Sequence, residues 1–528
     1  MSTSPMNPSV SDGIDSRWAA LQQGSAPFPP MMTHPTVWSG EPATTSPVGG
    51  LNAQSALGMT QYRAKVDLQI LAIAARYYPV HQKSQPDWPP INDHSLESLA
   101  DLVCAHLGFV LFRKQHTLSD VQATLLLSVW IPKGRGQFAD QWMVTGLCTR
   151  LAYRIGVLEL FNRPAVLHLL NSTQLDVRDI QEVNSILPEW HTWLAIHQHD
   201  TMMSLGFGRP HAMPAAPTGP REYLSIVRKL GASAQVDPMA ATYVASLAEL
   251  SVIAIELTSG LRTARLPATP RQDAPLSCAT TWSSISAVLS DLNPRLDDWK
   301  RQWTWSGSYD AIMLGRYSTL VKIYGEHTRL CLNSLSLNLM TAQAGSDTRG
   351  SHVAVSSLAR ACEAAVALVQ YYLESPATEP VVRYGGDYFV LILGQAATFI
   401  VRVLVARLDQ PLPIDKMVLM HCLQKSIELL ETNDVSTTGV CGWVAQVSRD
   451  LASYAGLGLA TEDDHPGRSV AIPESNMPAI EWDFDISAFL GQNMPAGGTG
   501  LDLGHYFDFS FDPQPLSVEG QGAQNVPS

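Results

Sequence analysis

The sequence has few cysteines, and none of them lie close together. The closest pair among the seven is Cys422 and Cys441, and no Cys-x-x-Cys motif occurs. Zinc fingers and dithiol redox sites need closely spaced cysteines, so the sequence predicts neither of them. The chain opens without the basic start and apolar stretch of a secretory signal, and its cysteine number is odd. We therefore expect a reducing compartment and no disulfide framework.

Long apolar runs and strand-like alternation are also scarce. The longest apolar run, residues 388–401, has fourteen residues and contains Gln395, whereas a membrane span needs about 20 residues. We expect this run to form a buried helix, and we expect no membrane contact. Because apolar and polar residues hardly alternate along the chain, the sequence argues against a large β-sheet.

The motifs of common enzymes and phosphate-binding loops are missing or incomplete. Residues 206–208 lack the third glycine of a dinucleotide loop, and residues 134–136 lack a following Lys-Ser/Thr pair. A helical terpenoid cyclase would need acidic clusters that hold magnesium. The pairs at 297–298 and 433–434 lack the further acid or hydroxyl of such clusters, and no Gly-x-Ser-x-Gly motif occurs. The chain is therefore predicted not to be an enzyme and to have no catalytic residue.

One group near the middle of the chain has metal-ligating residue types, namely His191, His197, His199 and Asp200. On a helix, ligands to one ion are expected three or four positions apart, whereas His197 and His199 would point about 200° apart. We therefore expect no metal site and no bound cofactor.

Negative charge is concentrated at one end of the chain. The net charge is −13, and residues 462–528 hold eleven acidic residues and one basic residue, Arg468. The rest of the chain is therefore close to neutral. This balance argues against a basic, nucleic-acid-binding face that extends over the whole chain.

Amphipathic helical patterns fill the region between residues 61 and 460. Apolar residues recur at steps of three and four in two clear stripes, at Val144, Leu147, Cys148, Leu151, Ile155 and Leu158, and at Trp190, Trp193, Leu194, His197, Thr201 and Leu205. The second stripe follows a predicted loop, and Pro188 stands near its start. Breakers separate further helices, predicted at 61–79, 96–107, 221–230, 237–260, 277–304, 310–342, 352–374, 386–408, 413–432 and 436–457.

These patterns predict an all-α protein with one large irregular multi-helix domain at 61–460. Pro79 is expected to end the first helix and Ser95 to cap the second. The Ser/Pro/Gly-rich segment 1–60 and the acidic segment 461–528 bury too few apolar residues to fold, so we expect both to be disordered.

The order of certain residues resembles the middle homology region of fungal-specific transcription factors. The matching positions are Gln122, Leu125, Leu126, Leu127, Trp142, Gly146, Arg150, Ala152, Gly156, Trp190, Trp193, Asp200, Gly208, Arg209 and Pro210. The resemblance implies a transcriptional regulator of the nucleus, whose helical region serves regulation and self-association as a homo- or heterodimer.

Members of this family usually have a zinc binuclear cluster of six closely spaced cysteines, which is not present in this sequence. Three explanations stay open: an upstream segment is missing, the chain reaches DNA through a partner, or the domain has diverged to another task. Zinc would be a cofactor only in the first case.

The acidic segment contains two clusters in which aromatic residues alternate with acidic ones. The clusters contain Tyr506 and the six aromatic residues predicted to carry activation: Trp482, Phe484, Phe489, Phe507, Phe509 and Phe511. Charge repulsion and hydration keep such aromatics accessible, so this composition resembles an activation domain that recruits transcription coactivators. Alternatively, the aromatics dock on the protein's own helical domain.

Asp200 and Arg209 form the polar pair of greatest interest. We hypothesise a partly buried ion pair that fixes the Gly208–Pro210 turn to the preceding helix. In the alternative, Arg209 contacts an anionic effector. The tryptophans at 130, 142, 190 and 193 are expected in the core, with a ligand pocket as the alternative.

Taken together, the sequence predicts a fungal-type transcriptional regulator with an acidic activation tail and no DNA-binding element of its own. A helical scaffold protein that acts through a partner factor is the first alternative. A small-molecule-binding or enzymatic helical domain is the second.

Overall fold

The structure is a computed structural model, and helices account for nearly all of the chain that it describes. The described residues are 53–85, 87–89, 91–130, 141–172, 176–207, 211–213, 219–265, 278–342, 351–375, 381–406, 411–435 and 439–458. They form sixteen α-helices and no strand, so the all-α prediction is confirmed for this part of the chain. Residues 461–528, and all but the last eight residues of segment 1–60, lie outside it.

The helices are numbered in chain order. They are α1 Ala53–Ser84, α2 Asp93–Phe112, α3 Leu118–Val129, α4 Gln141–Arg154, α5 Pro164–Asn171, α6 Val177–Phe207, α7 Pro220–Leu230, α8 Pro238–Arg265, α9 Cys278–Trp303, α10 Tyr309–Leu314, α11 Ser318–Ala342, α12 Ser351–Leu373, α13 Val381–Tyr384, α14 Asp387–Val405, α15 Lys416–Thr432 and α16 Val440–Tyr454. Short 3-10 segments occur at Val157–Asn162, Gly231–Ser233 and Gly315–Tyr317.

The first helix differs from the prediction at both ends. It begins at Ala53, ahead of the predicted start, and it continues through Pro79 to Ser84. The predicted end at Pro79 was wrong because the following loop supports the last turn. The Tyr78 hydroxyl donates to the carbonyl of Pro89 at 2.8 Å, and the rings of Tyr78 and Trp88 stack 5.3 Å apart.

The cap of α2 also differs from the prediction. Ser95 is not the N-cap; Asn92 is, and its side-chain oxygen accepts from the backbone N–H of Ser95 at 2.7 Å. Asparagine and serine serve equally well as N-caps, so the sequence alone did not decide between these two positions.

Helix α6 is longer than the sequence pattern indicated. It begins at Val177, and Pro188 lies inside it, so the predicted loop directly before Pro188 was wrong. Val183, Ile186 and Leu187 are buried at steps of three and four, which anchors this first part of the helix in the core. The helix after Pro188 carries the stripe that the sequence predicted.

The apolar residues of α4 to α16 form one continuous core. Helix α6 packs against α8 and α4, and α11 pairs with α12 over most of their length. A second, smaller cluster joins Ala72, Val103, Leu127 and Val144 from the first four helices. The body is therefore organised around α6, with α1 and α2 at its margin.

Four helical stretches are long and apolar enough to cross a bilayer by length and composition, namely residues 94–112, 238–260, 352–373 and 387–405. The last one contains the run at 388–401, so the prediction that this run is too short to cross a bilayer was wrong. Its predicted burial is confirmed, because 83% of its apolar window is buried, compared with 17% for residues 94–112.

Candidate functional site

One face of α6 brings together three of the residues that matched the family motif. Trp190, Trp193 and Asp200 are spaced at three and seven positions, which places them on the same side of a helix. All three are completely buried. They belong to the core of the body, so they contact other side chains rather than solvent.

The two tryptophans form the centre of an aromatic cluster. Trp190 packs edge-on against Phe161 and lies against Tyr223, each at 5.3 Å between ring centroids. Trp193 packs edge-on against Tyr153 at 5.5 Å. Edge-to-face packing adds about 0.5–1.5 kcal/mol per pair to the hydrophobic gain, so this cluster holds α6 against α4, α7 and the 3-10 turn after α4.

Asp200 binds the chain that follows α6. Its Oδ2 atom accepts from the backbone N–H groups of Ala212 and Met213, at 2.8 and 3.1 Å. Burial raises the pKa of Asp200, and these two donors oppose the rise. Arg209 lies outside the described residues, so the proposed ion pair stays a hypothesis. Asp200 does fix the segment after the turn, through the backbone.

A hydrogen-bond chain fixes the C-terminal end of α6 to α14 and α11. The Gln395 amide donates to the carbonyl of Gly206 at 2.9 Å, and its oxygen lies 2.7 Å from His327 Nε2. The Tyr388 hydroxyl donates to the carbonyl of Met202 at 2.6 Å. Sequence reasoning missed these residues because the partners lie between 68 and 189 positions apart and share no motif.

Gly206 of α6 lies beside the ring of Tyr388 in α14. A Cβ atom at this position would lie 3.0 Å from Cε2 of Tyr388 and 3.2 Å from its hydroxyl oxygen. A larger residue at this position would require the tyrosine ring to move by a few tenths of an ångström. The conformational freedom of glycine is not needed here, since Gly206 is helical.

His199 and His327 of this region are buried, and His191 is half-buried. Burial lowers the pKa of His199 to about 4 and that of His327 to about 4. His191 Nδ1 lies 2.8 Å from the Tyr223 hydroxyl oxygen. Among the residues that the structure describes, no group of three or more histidine, cysteine or acidic side chains is arranged to hold a metal ion.

The other motif residues have different environments. Trp142 is half-buried at the start of α4, and Arg150 is exposed, with its Nη1 donating to the carbonyl of Gly146 at 3.0 Å. Gln122 donates to Thr192 at 3.1 Å and so joins α3 to α6. Several predicted residues lie outside the described part of the chain: Gly208, Arg209, Pro210, Trp482, Phe484, Phe489, Phe507, Phe509 and Phe511.

Several polar atoms on the buried face of α6 have no hydrogen-bond partner among the described residues. They are Trp190 Nε1, Trp193 Nε1, Asp200 Oδ1, Thr201 Oγ1 and Ser204 Oγ. Buried polar atoms in proteins normally have partners, so this face can bind ordered water or polar groups of a small molecule. The atoms extend over about four turns of helix, or roughly 20 Å, which is too long for one small ligand to contact them all.

A small cleft opens between α9, α11 and α12. It has an internal volume of about 10 Å³ and is lined by Trp299, Lys300, Lys322, Glu326 and Arg329, among others. Glu326 is buried and pairs with Lys300. This volume accommodates about one water molecule, so the cleft is too small for a metabolite.

Comparisons of the chain with protein-family models, with curated proteins and with solved structures give no match.

Proposed function

We propose that this protein is a transcriptional regulator of the fungal-specific type. Its helical body serves regulation, and its acidic C-terminal segment recruits coactivators in the nucleus. Membership of this family is itself proposed, because it is inferred from residues that resemble the family's middle homology region.

One structural observation carries most of the weight. Trp190, Trp193 and Asp200 lie on one buried face of the helix around which the body is organised. Residues that define a shared fold are expected at such positions, because their replacement leaves cavities or unpartnered polar groups. The arrangement therefore supports a structural role for these positions in a large helical regulatory domain.

The acidic segment supplies the second support, and it comes from composition. Aromatic residues such as Trp482 and Phe484 alternate with acidic residues over residues 481–512. Such a segment stays hydrated by itself and can place one aromatic face in a partner's groove.

A reporter assay tests the proposal directly. Residues 475–515, fused to an unrelated DNA-binding module, are expected to activate transcription. The matched control replaces all seven aromatics of this segment with alanine and keeps every charge: Trp482, Phe484, Phe489, Tyr506, Phe507, Phe509 and Phe511. We expect the control to lose the activity, and an inactive native segment would contradict the activator function.

A scaffold protein that acts through a partner factor is the second candidate. The exposed apolar residues of α1 and α2, such as Leu71, Leu102 and Phe112, favour it, since they offer surface for a protein contact. Purified protein that shifts no DNA, but is retained by a cysteine-cluster transcription factor, would favour this candidate over the first.

A further inference from the structure

Helix α2 exposes a regular apolar stripe on its outer face. The stripe consists of four apolar residues, Leu102, Ala105, Phe109 and Phe112, preceded by Ser98, and all five side chains are exposed to solvent. The large members Leu102, Phe109 and Phe112 are 54%, 65% and 88% exposed. The opposite face, with Val103 and Val110, is buried against the body. We call the exposed stripe the α2 seam.

The spacing of the α2 seam is that of a helix-pairing surface. Its residues follow one another at steps of four, three, four and three, the heptad spacing that keeps apolar residues facing a second helix. Single exposed apolar residues are common on protein surfaces, but a contiguous stripe of this kind marks an interaction site. The seam therefore requires an apolar partner.

The charges of α2 are divided between its two ends. Glu97 and Asp101 lie in its N-terminal half, whereas Arg113 and Lys114 follow its C-terminal end. Arg113 already pairs with Asp120 of its own chain at 3.0 Å, so the exposed Lys114 is the basic residue of this end that can face a second copy. A second α2 helix that runs antiparallel brings the acidic half of each copy beside the basic end of the other. The surface is thus complementary to itself, as a two-fold interface requires.

Side-chain volumes along the α2 seam agree with the same arrangement. If the two-fold axis passes near Ala105, Ser98 faces Phe112 of the second copy and Leu102 faces Phe109. Each large aromatic then meets a smaller residue, and the two alanines meet at the centre, where the helices can approach closely. A parallel pair would instead place Phe112 against Phe112 and Asp101 against Asp101.

We propose that two copies of this protein associate through the α2 seam, antiparallel and about a two-fold axis near Ala105. This goes beyond the proposed function and does not depend on it. The acidic segment 461–528 is a poorer occupant, because Glu97 and Asp101 would repel it along half of the seam. A bilayer is also a poorer occupant, because Asp101 and Glu97 would have to enter it.

The first experiment measures self-association of the full chain. Sedimentation velocity over about a hundredfold concentration range is expected to show a monomer–dimer equilibrium near micromolar, as suits a short interface. Leu102→Glu and Phe109→Glu should make the protein monomeric throughout this range. The matched control is Ile312→Glu in α10, which also replaces an exposed apolar residue (66% exposed) and should leave the dimer intact. Thermal melts establish that all variants fold.

The second experiment tests the orientation of the pair. In a Cys104→Ser background, Ala105→Cys should form a disulfide-linked dimer with oxidised glutathione. Ser98→Cys should not, because two copies of residue 98 would lie about 20 Å apart in the antiparallel pair. Crosslinking of Ser98→Cys to itself would overturn the antiparallel arrangement.

Charge reversal provides an independent test. Glu97→Lys and Lys114→Glu should each weaken the dimer several-fold, and the double variant should restore it. A monomer at every concentration overturns the proposal. A chain that dimerises only after removal of residues 461–528 also overturns it, because the acidic segment would then be the occupant of the α2 seam. A chain that is monomeric and sediments with neutral phosphatidylcholine vesicles overturns it as well, because a bilayer would then be the occupant.

Discussion

Helices α14 and α2 have almost the same length and both are strongly apolar, but their surroundings differ. Each contains nineteen residues that meet the length and hydropathy of a membrane span. Helix α14 has neighbours on every side, because α11, α12, α15 and α16 pack around it. Helix α2 has neighbours on one side only. Hydropathy therefore does not decide which apolar helix is buried; the number of available neighbours does.

The two helices should differ most in how much stability the protein loses when a phenylalanine in each is replaced by alanine. Phe399→Ala in α14 removes a completely buried ring and should lower the free energy of unfolding by about 3–5 kcal/mol. Phe109→Ala in α2 should change it by less than about 0.5 kcal/mol, since this ring is solvated in the monomer. Urea unfolding at a concentration where the protein is monomeric measures both, and equal losses would contradict the difference in burial.

Acid should destabilise the body through the buried histidines of α6 and α11. His199 and His327 have pKa values lowered to about 4 by burial, whereas an unfolded histidine titrates near 6.5. Between pH 6.5 and 4 the unfolded chain therefore binds more protons than the folded one, and stability falls as the pH decreases. We expect the free energy of unfolding to be lower at pH 5 than at pH 7. His327→Gln should reduce this pH dependence by about half, and an unchanged dependence would exclude His327 as a cause.

Removal of the Tyr388 hydroxyl measures the contribution of a single hydrogen bond between α14 and α6. Tyr388→Phe keeps the ring beside Gly206 but removes the hydrogen bond to the carbonyl of Met202. The loss should be about 1–2 kcal/mol, since the carbonyl stays buried. Thermal unfolding measures it, with Tyr309→Phe at an exposed position as the control.

A substitution in the α2 seam should have the smallest effect on the stability of the monomer. Phe112→Ser replaces the most exposed apolar side chain of the α2 seam and should alter the free energy of unfolding of the monomer by less than about 0.5 kcal/mol. The same change should weaken self-association at least several-fold. A large loss of monomer stability would mean that the seam is packed against the chain's own residues.

The amphipathic parts of the fold could be predicted from the sequence, and the long-range contacts could not. Stripes such as Val144 to Leu151 have a period that only a helix satisfies, and the structure buries them as expected. The start of α6 was missed because a loop was predicted before Pro188, whereas Val183 and Leu187 in that segment are helical and buried.

The candidate site was predicted only in part, for a related reason. Spacing placed Trp190, Trp193 and Asp200 on one face of α6, but it could not identify what meets that face. Gln395 and His327 become neighbours of α6 only through the packing of the whole body. The partners of Asp200 are backbone groups, which leave no pattern in the sequence.

The contact between Gln395 and Gly206 also sets an order of events during synthesis. The two residues are 189 positions apart, so the end of α6 leaves the ribosome long before its partner has been made. At about 5–20 residues per second, the delay is on the order of 10–40 seconds. During this interval the carbonyl groups of Met202 and Gly206 lack their partners and the neighbouring apolar face is uncovered. The nascent N-terminal half is therefore the form of this protein that most needs a chaperone.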